Sequence, residues 1–97
     1  MKQIRESKYL KKKGVNGKTQ KLIYYTLINP KAAKPHTEYI DSICNEIAGD
    51  RWKGLKRFLT NDCVNDNSIW IDYGIRSQDL YRMKNEFYLR WYIDKIK

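Results

Sequence analysis

The side chains best suited to catalysis or metal binding are few and widely spaced in this sequence. There is one histidine, His36, and there are two cysteines, Cys44 and Cys63, which stand nineteen positions apart without a CxxC pair. A structural zinc site takes four clustered ligands, and nucleophilic catalysis takes a nucleophile with a base beside it. Because neither set can be assembled here, we expect no metal, no cofactor and no enzymatic activity. We expect two buried, reduced thiols and a solvated or helix-capping position for His36.

Acidic side chains offer no stronger candidate for a catalytic or metal site. Asp62, Asp66 and Asp72 are near one another, but the first two belong to the stretch 61–68, NDCVNDNS. Asp and Asn are common in turns because their side chains hydrogen-bond to nearby backbone, so turn formation accounts for both acids. The sequence also lacks a glycine-rich loop of the type that holds phosphate groups.

Basic side chains, in contrast, are abundant and unevenly distributed. Residues 1–35 contain ten Lys or Arg and one acid, Glu6, whereas residues 36–97 contain ten of each sign. The net charge of +9 therefore belongs to the first third of the chain, and we expect a basic arm joined to a neutral body. The commonest partner of such an arm is a polyanion, most often nucleic acid. Phosphate contacts give affinity without sequence information, so the body must supply any specificity.

Length and composition indicate one small domain spanning residues 1–97. A chain of this length has room for a single modest core, and its 41% hydrophobic and 13% aromatic content is too apolar for a disordered chain. No segment approaches the roughly 20 apolar residues of a membrane span, and the first twenty residues contain no apolar signal-peptide core. We therefore expect a cytoplasmic protein with no membrane partner.

The elements that must position the basic side chains begin with an N-terminal β-hairpin. The β-branched and aromatic run KLIYYTLIN stops at Pro30, and a Gly-Val-Asn-Gly turn signal occupies residues 14–17. This pattern favours strands around 5–12 and 21–28. A short helix over 20–28 is the alternative, because a short apolar run fits both structures.

The body, residues 37–97, is predicted to be helical. Apolar residues recur at helical spacing after a Thr37 cap and again after an Asp50 cap. From Ser77 to Lys97 the sequence contains neither Gly nor Pro, which predicts a long C-terminal helix capped by Ser77. The predicted fold class is α+β, with an N-terminal β-hairpin followed by a small helical domain.

The stretch around Gly74 has the most specific pattern. A short helix over 69–73 is predicted to end at Gly74, which permits the positive φ of a sharp turn, and Ile75 follows as a buried plug. The next helix then turns Leu80 and Met83 inward. A short helix, a glycine turn and a second helix crossing the first make a helix-turn-helix unit.

The run Tyr73-Gly74-Ile75 followed by Leu80-Tyr81-Arg82-Met83-Lys84 resembles the helix-turn-helix of transposases and of phage or plasmid regulators. The resemblance covers residues 51–90 and implies that the second helix is a recognition helix. One position departs from the family pattern, because Trp70 stands four residues before the glycine, where a small residue is usual. Either the indole opens the helix crossing, or residues 69–73 form a strand and the resemblance is accidental.

The resemblance also implies which side chains contact DNA, since Arg and Gln read guanine and adenine edges in the major groove. The predicted base contacts are Arg76, Ser77, Gln78, Tyr81 and Arg82. The predicted phosphate contacts on the body are Lys53, Lys56, Arg57 and Lys84. The positive charge of the arm predicts further phosphate contacts from Lys11, Lys12, Lys13 and Lys18. Asp79 argues mildly against tight contact because its carboxylate repels the DNA backbone, and an ordinary solvated helix face is the alternative.

The C-terminal helix has more apolar surface than one face requires. The first of its two apolar stripes consists of Leu80, Met83, Phe87 and Trp91, and the second consists of Leu89, Ile93 and Ile96. A small domain cannot bury both stripes against itself alone. Part of this surface is predicted to cover the hairpin, and part to form a symmetric homodimer, which also suits palindromic DNA sites.

Together these patterns predict a small DNA-binding protein of phage or mobile-element type, with the helix-turn-helix in the major groove of double-stranded DNA and the arm on phosphates. One alternative is a phage-type inhibitor of a host nucleic-acid enzyme, which the aromatic content and the spare apolar face also fit. Another is a single-stranded DNA or RNA binding protein that stacks bases on Tyr24 or Tyr25. Neighbouring residues of a strand point to opposite faces, so a hairpin exposes at most one of these two rings.

Overall fold

In a computed structural model that describes residues 6–61 and 63–97, all regular secondary structure is helical. The α-helices are α1 (Lys8–Lys12), α2 (Gly17–Ile28), α3 (Pro30–Ala33), α4 (Thr37–Ala48), α5 (Trp52–Thr60), α6 (Asp66–Tyr73) and α7 (Ser77–Trp91). Short 3-10 turns over Lys34–His36 and Gly49–Arg51 lead into α4 and α5, and a π-helical turn over Tyr92–Ile96 follows α7. Within the described part of the chain, none of these helices is long and apolar enough to cross a membrane.

The predicted α+β fold with an N-terminal hairpin is wrong, because α1 and α2 occupy the positions of the two predicted strands. Both helices begin at polar caps, since the side chains of Ser7 and Asn16 accept hydrogen bonds from the backbone N–H groups of Leu10 and Thr19. The turn signal at 14–17 does mark a turn, but it connects two helices. Residue 5 of the predicted first strand lies outside the described residues.

In the described part of the basic N-terminal region, both helices share a hydrophobic core with the body. Leu10, Val15, Ile23 and Leu27 are buried in the same hydrophobic core as the helices of the body. Residues 23 and 27 lie on one side of α2 because they are four positions apart, a spacing that favours the helix over the strand. The lysines of α1 and α2 therefore project from folded helices.

A buried carboxamide fastens α1 to α2. The Gln20 Oε1 atom accepts a hydrogen bond of 2.8 Å from the backbone N–H of Ser7, and its Nε2 donates to the Ser7 and Val15 carbonyls at 3.2 and 3.0 Å. Gln20 is the only buried polar residue in the described part of the chain. Its amide joins backbone groups that precede and follow α1, which gives the N-terminal segment a fixed position on the core.

The helices predicted for the body are present, but several of their predicted caps are not. Helix α4 runs to Gly49 as expected, yet the Thr37 hydroxyl donates to the Lys34 carbonyl at 2.9 Å and does not cap the helix. Asp50 lies within the 3-10 turn before α5, and Arg51 is the residue at the cap. Both helices continue directly from 3-10 turns, so their first N–H groups do not depend on a side-chain cap.

The two thiols have different environments. Cys44 is buried on α4, as predicted, and burial raises the pKa of its thiol to about 12. Cys63 is exposed in the connection between α5 and α6, so the prediction that both thiols are buried is wrong. The stretch around it, NDCVNDNS, is rich in turn-forming polar residues, which favour the surface.

Candidate nucleic-acid interface

Helices α6 and α7 are joined by a tight turn of three residues. The Asn65 side chain caps α6 by accepting the N–H of Ser68 at 2.9 Å, and the helix ends at Gly74. Gly74 has φ +70° and ψ +25°, a left-handed conformation that glycine adopts without strain, and Ile75 is buried directly after it. Residues 69–73 are therefore a helix, and the strand that was the alternative reading is wrong.

Helix α5 packs closely against this turn because it presents a bare backbone at Gly54. A Cβ atom added to Gly54 would lie 2.7 Å from Cγ of Tyr73 and 3.1 Å from Cδ1 of Ile75. One helical turn further on, the Phe58 ring meets the Tyr81 ring edge-on, with 5.6 Å between centroids. Through these contacts α5, α6 and α7 form one packed unit, which we call the α5–α7 unit.

The departure from the family pattern at Trp70 does not open a helix crossing. The Trp70 side chain is 48% exposed, whereas its neighbour Ile69 is fully buried. The small residue that close helix packing requires is Gly54, which lies on α5. Its contact with Tyr73 and with Ile75 of the turn after α6 joins residues that are distant in the chain.

Four of the five predicted base contacts are exposed around the start of α7, namely Arg76, Gln78, Tyr81 and Arg82. Ser77 is the exception because it is half-buried and its hydroxyl donates to a carboxylate oxygen of Asp66. It therefore holds the start of α7 to the start of α6, and it does not cap α7 either. The site residue that sequence reasoning missed here is Asp66, which was interpreted only as a turn-former.

The acid that argued against DNA contact is partly neutralised within α7. Arg82 Nη2 lies 3.4 Å from Oδ1 of Asp79, and both side chains are largely exposed. Exposed ion pairs of this kind contribute about 0–1 kcal/mol, so the guanidinium can leave Asp79 for a stronger ligand at little cost. In the free protein Arg82 therefore partly screens the charge of Asp79, and it remains available for other contacts.

The predicted phosphate contacts of the body separate into two groups. Lys53 and Arg57 are exposed on α5. Lys53 is next to Gly54, which packs against Tyr73, and Arg57 is next to Phe58, which packs against Tyr81. Successive residues of a helix are rotated by about 100°, which places Lys56 on a different side of α5. Its Nζ pairs with Asp41 of α4 at 2.7 Å. Lys84 Nζ lies 5.4 Å from the centroid of the Tyr88 ring, further along α7. Lys56 therefore faces α4, whereas the other three do not.

The predicted arm contacts lie on the N-terminal helices, with Lys11 and Lys12 in α1, Lys13 at its end and Lys18 in α2. Lys11 pairs with Glu6, and its hydrogen bond and charge hold the pKa of that carboxyl below its usual value. All four lysines are exposed. They belong to α1 and α2, so any contact they make with DNA is separate from the contacts of the α5–α7 unit.

The two apolar stripes of the C-terminal helix have different surroundings. In the first stripe, Leu80, Phe87 and Trp91 are buried in the core. In the second, Ile93 and Ile96 belong to the π-helical turn and remain partly exposed. Homodimer formation through the second stripe stays a prediction.

Among the described residues, no group of three or more His, Cys, Asp or Glu side chains could hold a metal ion. No protein-family model, curated protein or solved structure matches this chain.

Proposed function

We propose that this protein binds double-stranded DNA through the α5–α7 unit, with the first half of α7 in the major groove. The observation that supports this most directly is the turn at Gly74, where a left-handed glycine and the buried Ile75 fix α6 against α7. This arrangement supports assignment as a helix-turn-helix, in which the N-terminal residues of the second helix reach base edges. The resemblance to transposases and phage or plasmid regulators favours a protein of that type.

The spacing of side chains on α7 suits base recognition. Gln78 and Arg82 are four residues apart, so they share a face of the helix and are separated by about 6 Å along its axis. That separation corresponds to about two base-pair steps of 3.4 Å. Gln can pair with adenine and Arg with guanine through two hydrogen bonds each. Arg76 precedes the helix and is exposed near the same end.

Phosphate contacts would come from the exposed face of α5. Lys53 and Arg57 are four residues apart, so both project from one side of that helix. Each cation that neutralises a phosphate releases a counterion, which gives affinity that falls steeply with salt. The lysines of α1 and α2 add long-range attraction for any polyanion.

Binding to a pool of random-sequence duplexes, followed by recovery and sequencing of the bound molecules, tests this proposal. Gln78→Ala and Arg82→Ala should each flatten base preference at one or two adjacent positions, since a bidentate contact discriminates by about 1–3 kcal/mol. Arg57→Ala should weaken all sequences about equally and reduce the slope of log affinity against log salt by about 0.9. Lys97→Ala is the matched control, because it removes the same charge at the far end of the chain and should leave the slope unchanged.

Two results would overturn the proposal. One is duplex binding that is absent or does not weaken with salt. The other is a set of preferred sequences that Gln78→Ala and Arg82→Ala leave unaltered, because base recognition would then come from somewhere other than α7.

A protein-binding function is the second candidate, and one observation favours it. On α6, Trp70 is 48% exposed and Ile71 is 74% exposed, and neighbouring exposed apolar side chains of this size are typical of protein interfaces. A complex with a host protein that survives nuclease treatment, and that Trp70→Ala with Ile71→Ala abolishes, would favour this function. The same double variant should retain its base preference if α7 reads DNA.

A further inference from the structure

The outer side of α2 carries a surface that the proposed duplex site does not use. Lys18, Lys21, Leu22 and Tyr25 are all exposed and follow helical spacing, so they form one stripe, which we call the α2 face. Its two apolar members are well exposed, with Leu22 at 58% and Tyr25 at 50% exposure. Leu22 and Tyr25 together form an exposed apolar patch, and exposed apolar patches often mark binding surfaces. The α2 face is therefore a candidate binding surface.

The charge around this face has one sign. The segment 7–37 contains eight lysines and neither Asp nor Glu, and the preceding acid, Glu6, pairs with Lys11. Glu6 also lies near Lys21, whose charge contributes to lowering the pKa of the Glu6 carboxyl. One carboxylate among eight lysines leaves a strongly positive surface, and its complement is a polyanion.

The α2 face points away from the α5–α7 unit. Helix α2 packs against α5 and α7 through the side that carries Ile23 and Leu27, both buried in the core. Tyr25 and Leu22 are rotated to the other side of the helix. A straight duplex seated on the first half of α7 would therefore leave the α2 face open.

We propose that the α2 face is a second nucleic-acid site, specific for single strands, in which an unpaired base stacks on the Tyr25 ring while Lys18 and Lys21 contact phosphates. An exposed aromatic ring on a convex helix can meet the face of a base only when that base is unpaired and unstacked, which favours single strands over duplex. An anionic membrane is a weaker fit, because interfacial helices present a broad apolar face and this one has a single aliphatic side chain. The proposal does not rest on duplex binding by α7.

The test is the anisotropy of a fluorescent oligothymidine in low salt, measured alone and with saturating random-sequence duplex. Tyr25→Ala should lower affinity for the oligothymidine about 5- to 150-fold, the equivalent of one stacked base. Tyr25→Phe should restore most of it, because a phenyl ring also stacks. Tyr9→Ala is the matched control, since it removes another exposed tyrosine from the same basic segment and should leave the affinity unchanged.

Salt dependence adds a second readout that a merely structural role for the face would not change. Lys21→Ala should reduce the slope of log affinity against log salt by about 0.7, the value for one phosphate of a single strand. Circular dichroism should show wild-type folding for each variant, because these side chains are exposed.

Three outcomes would overturn the inference. These are wild-type oligothymidine affinity in Tyr25→Ala, equal losses in Tyr9→Ala and Tyr25→Ala, and displacement of the oligothymidine by duplex. Tighter binding to phosphatidylserine vesicles than to oligothymidine, lost in Tyr25→Ala, would assign the face to membranes instead. If duplex binding fails while oligothymidine binding depends on Tyr25, the function proposed for α7 is wrong and the α2 site stands.

Discussion

Replacing Gly54 with alanine tests the packing that holds α5 against the turn between α6 and α7. The added Cβ would lie 2.7 Å from Cγ and 2.9 Å from Cβ of Tyr73, and 3.1 Å from Cδ1 of Ile75. Carbon atoms pack favourably at about 3.5–4.0 Å, so all three contacts are too short. The Cβ of Tyr73 is bonded to the α6 backbone and cannot rotate away. Helix α6 must therefore shift relative to α5.

Two effects of opposite sign determine the change in stability. Alanine is more favourable than glycine in a helix interior by about 1 kcal/mol. Overpacking a filled site costs about 1–3 kcal/mol, and we expect the upper half of that range because an atom fixed to the backbone is involved. The free energy of unfolding should fall by about 1–2 kcal/mol. In a domain of this size that corresponds to a decrease in melting temperature of about 4–16 °C.

Thermal unfolding followed by circular dichroism measures this effect, and Gly17→Ala is the matched control. The three atoms nearest to an added Cβ at Gly17 all belong to the carboxylate of Glu6, the end of a flexible side chain that can move aside. Its stability change should stay within about 0.5 kcal/mol. A Gly54→Ala protein that melts at or above the wild-type temperature would refute the packing argument. Duplex affinity of the folded variant should fall as well, because Arg57 and α7 would no longer keep their relative positions.

Three further predictions concern the core and the thiols. Gln20→Leu should reduce the free energy of unfolding by about 2–5 kcal/mol in urea titrations, because it removes the hydrogen-bond partners of the Ser7 N–H and the Val15 carbonyl; a loss below about 1 kcal/mol would contradict this role. Iodoacetamide should label Cys63 but not Cys44 in the native protein, and equal labelling rates would contradict the burial described. Stability should decrease above about pH 9. Burial raises the pKa of Cys44 to about 12 and also raises the pKa of Tyr88, so both groups stay neutral in the folded protein but ionise in the unfolded chain. A constant melting temperature between about pH 8 and about pH 11 would argue against this.

The sequence was sufficient to predict the helices of the body but not those of the N-terminal segment. Apolar residues at helical spacing and a following glycine predicted α4, and both are present. In the run 21–28, β-branched and aromatic residues favoured a strand, yet tertiary packing prevailed over this propensity. The decisive side chains were the Asn16 cap and the buried Gln20, and a lone buried glutamine gives no sequence signal of the backbone groups that it will satisfy.

Part of the candidate site could also be predicted from the sequence. Exposure of Gln78 and Arg82 followed from local periodicity, which requires only the residues of α7 themselves. The partners of Lys56 and Ser77 could not be predicted, because Asp41 and Asp66 approach them only after the chain has folded. Residues that act on the same helix can be inferred from the sequence, whereas pairs that join two helices require the fold.

The structure changes the meaning of the charge asymmetry. A flexible basic arm would have added affinity to whatever the body recognised, but lysines on α1 and α2 are fixed to faces that the fold determines. In the body, Asp79 and Asp41 partly neutralise Arg82 and Lys56, so the long-range field comes mainly from the N-terminal helices. That field raises the rate at which the protein encounters any polyanion, and it orients the protein so that the α2 face is directed toward the polyanion. A duplex seated on α7 must then rely on the cations near that helix, so removing lysines from α2 should weaken single-strand binding more than duplex binding. The two proposals together predict that the salt slope of each ligand depends on a different set of cationic side chains.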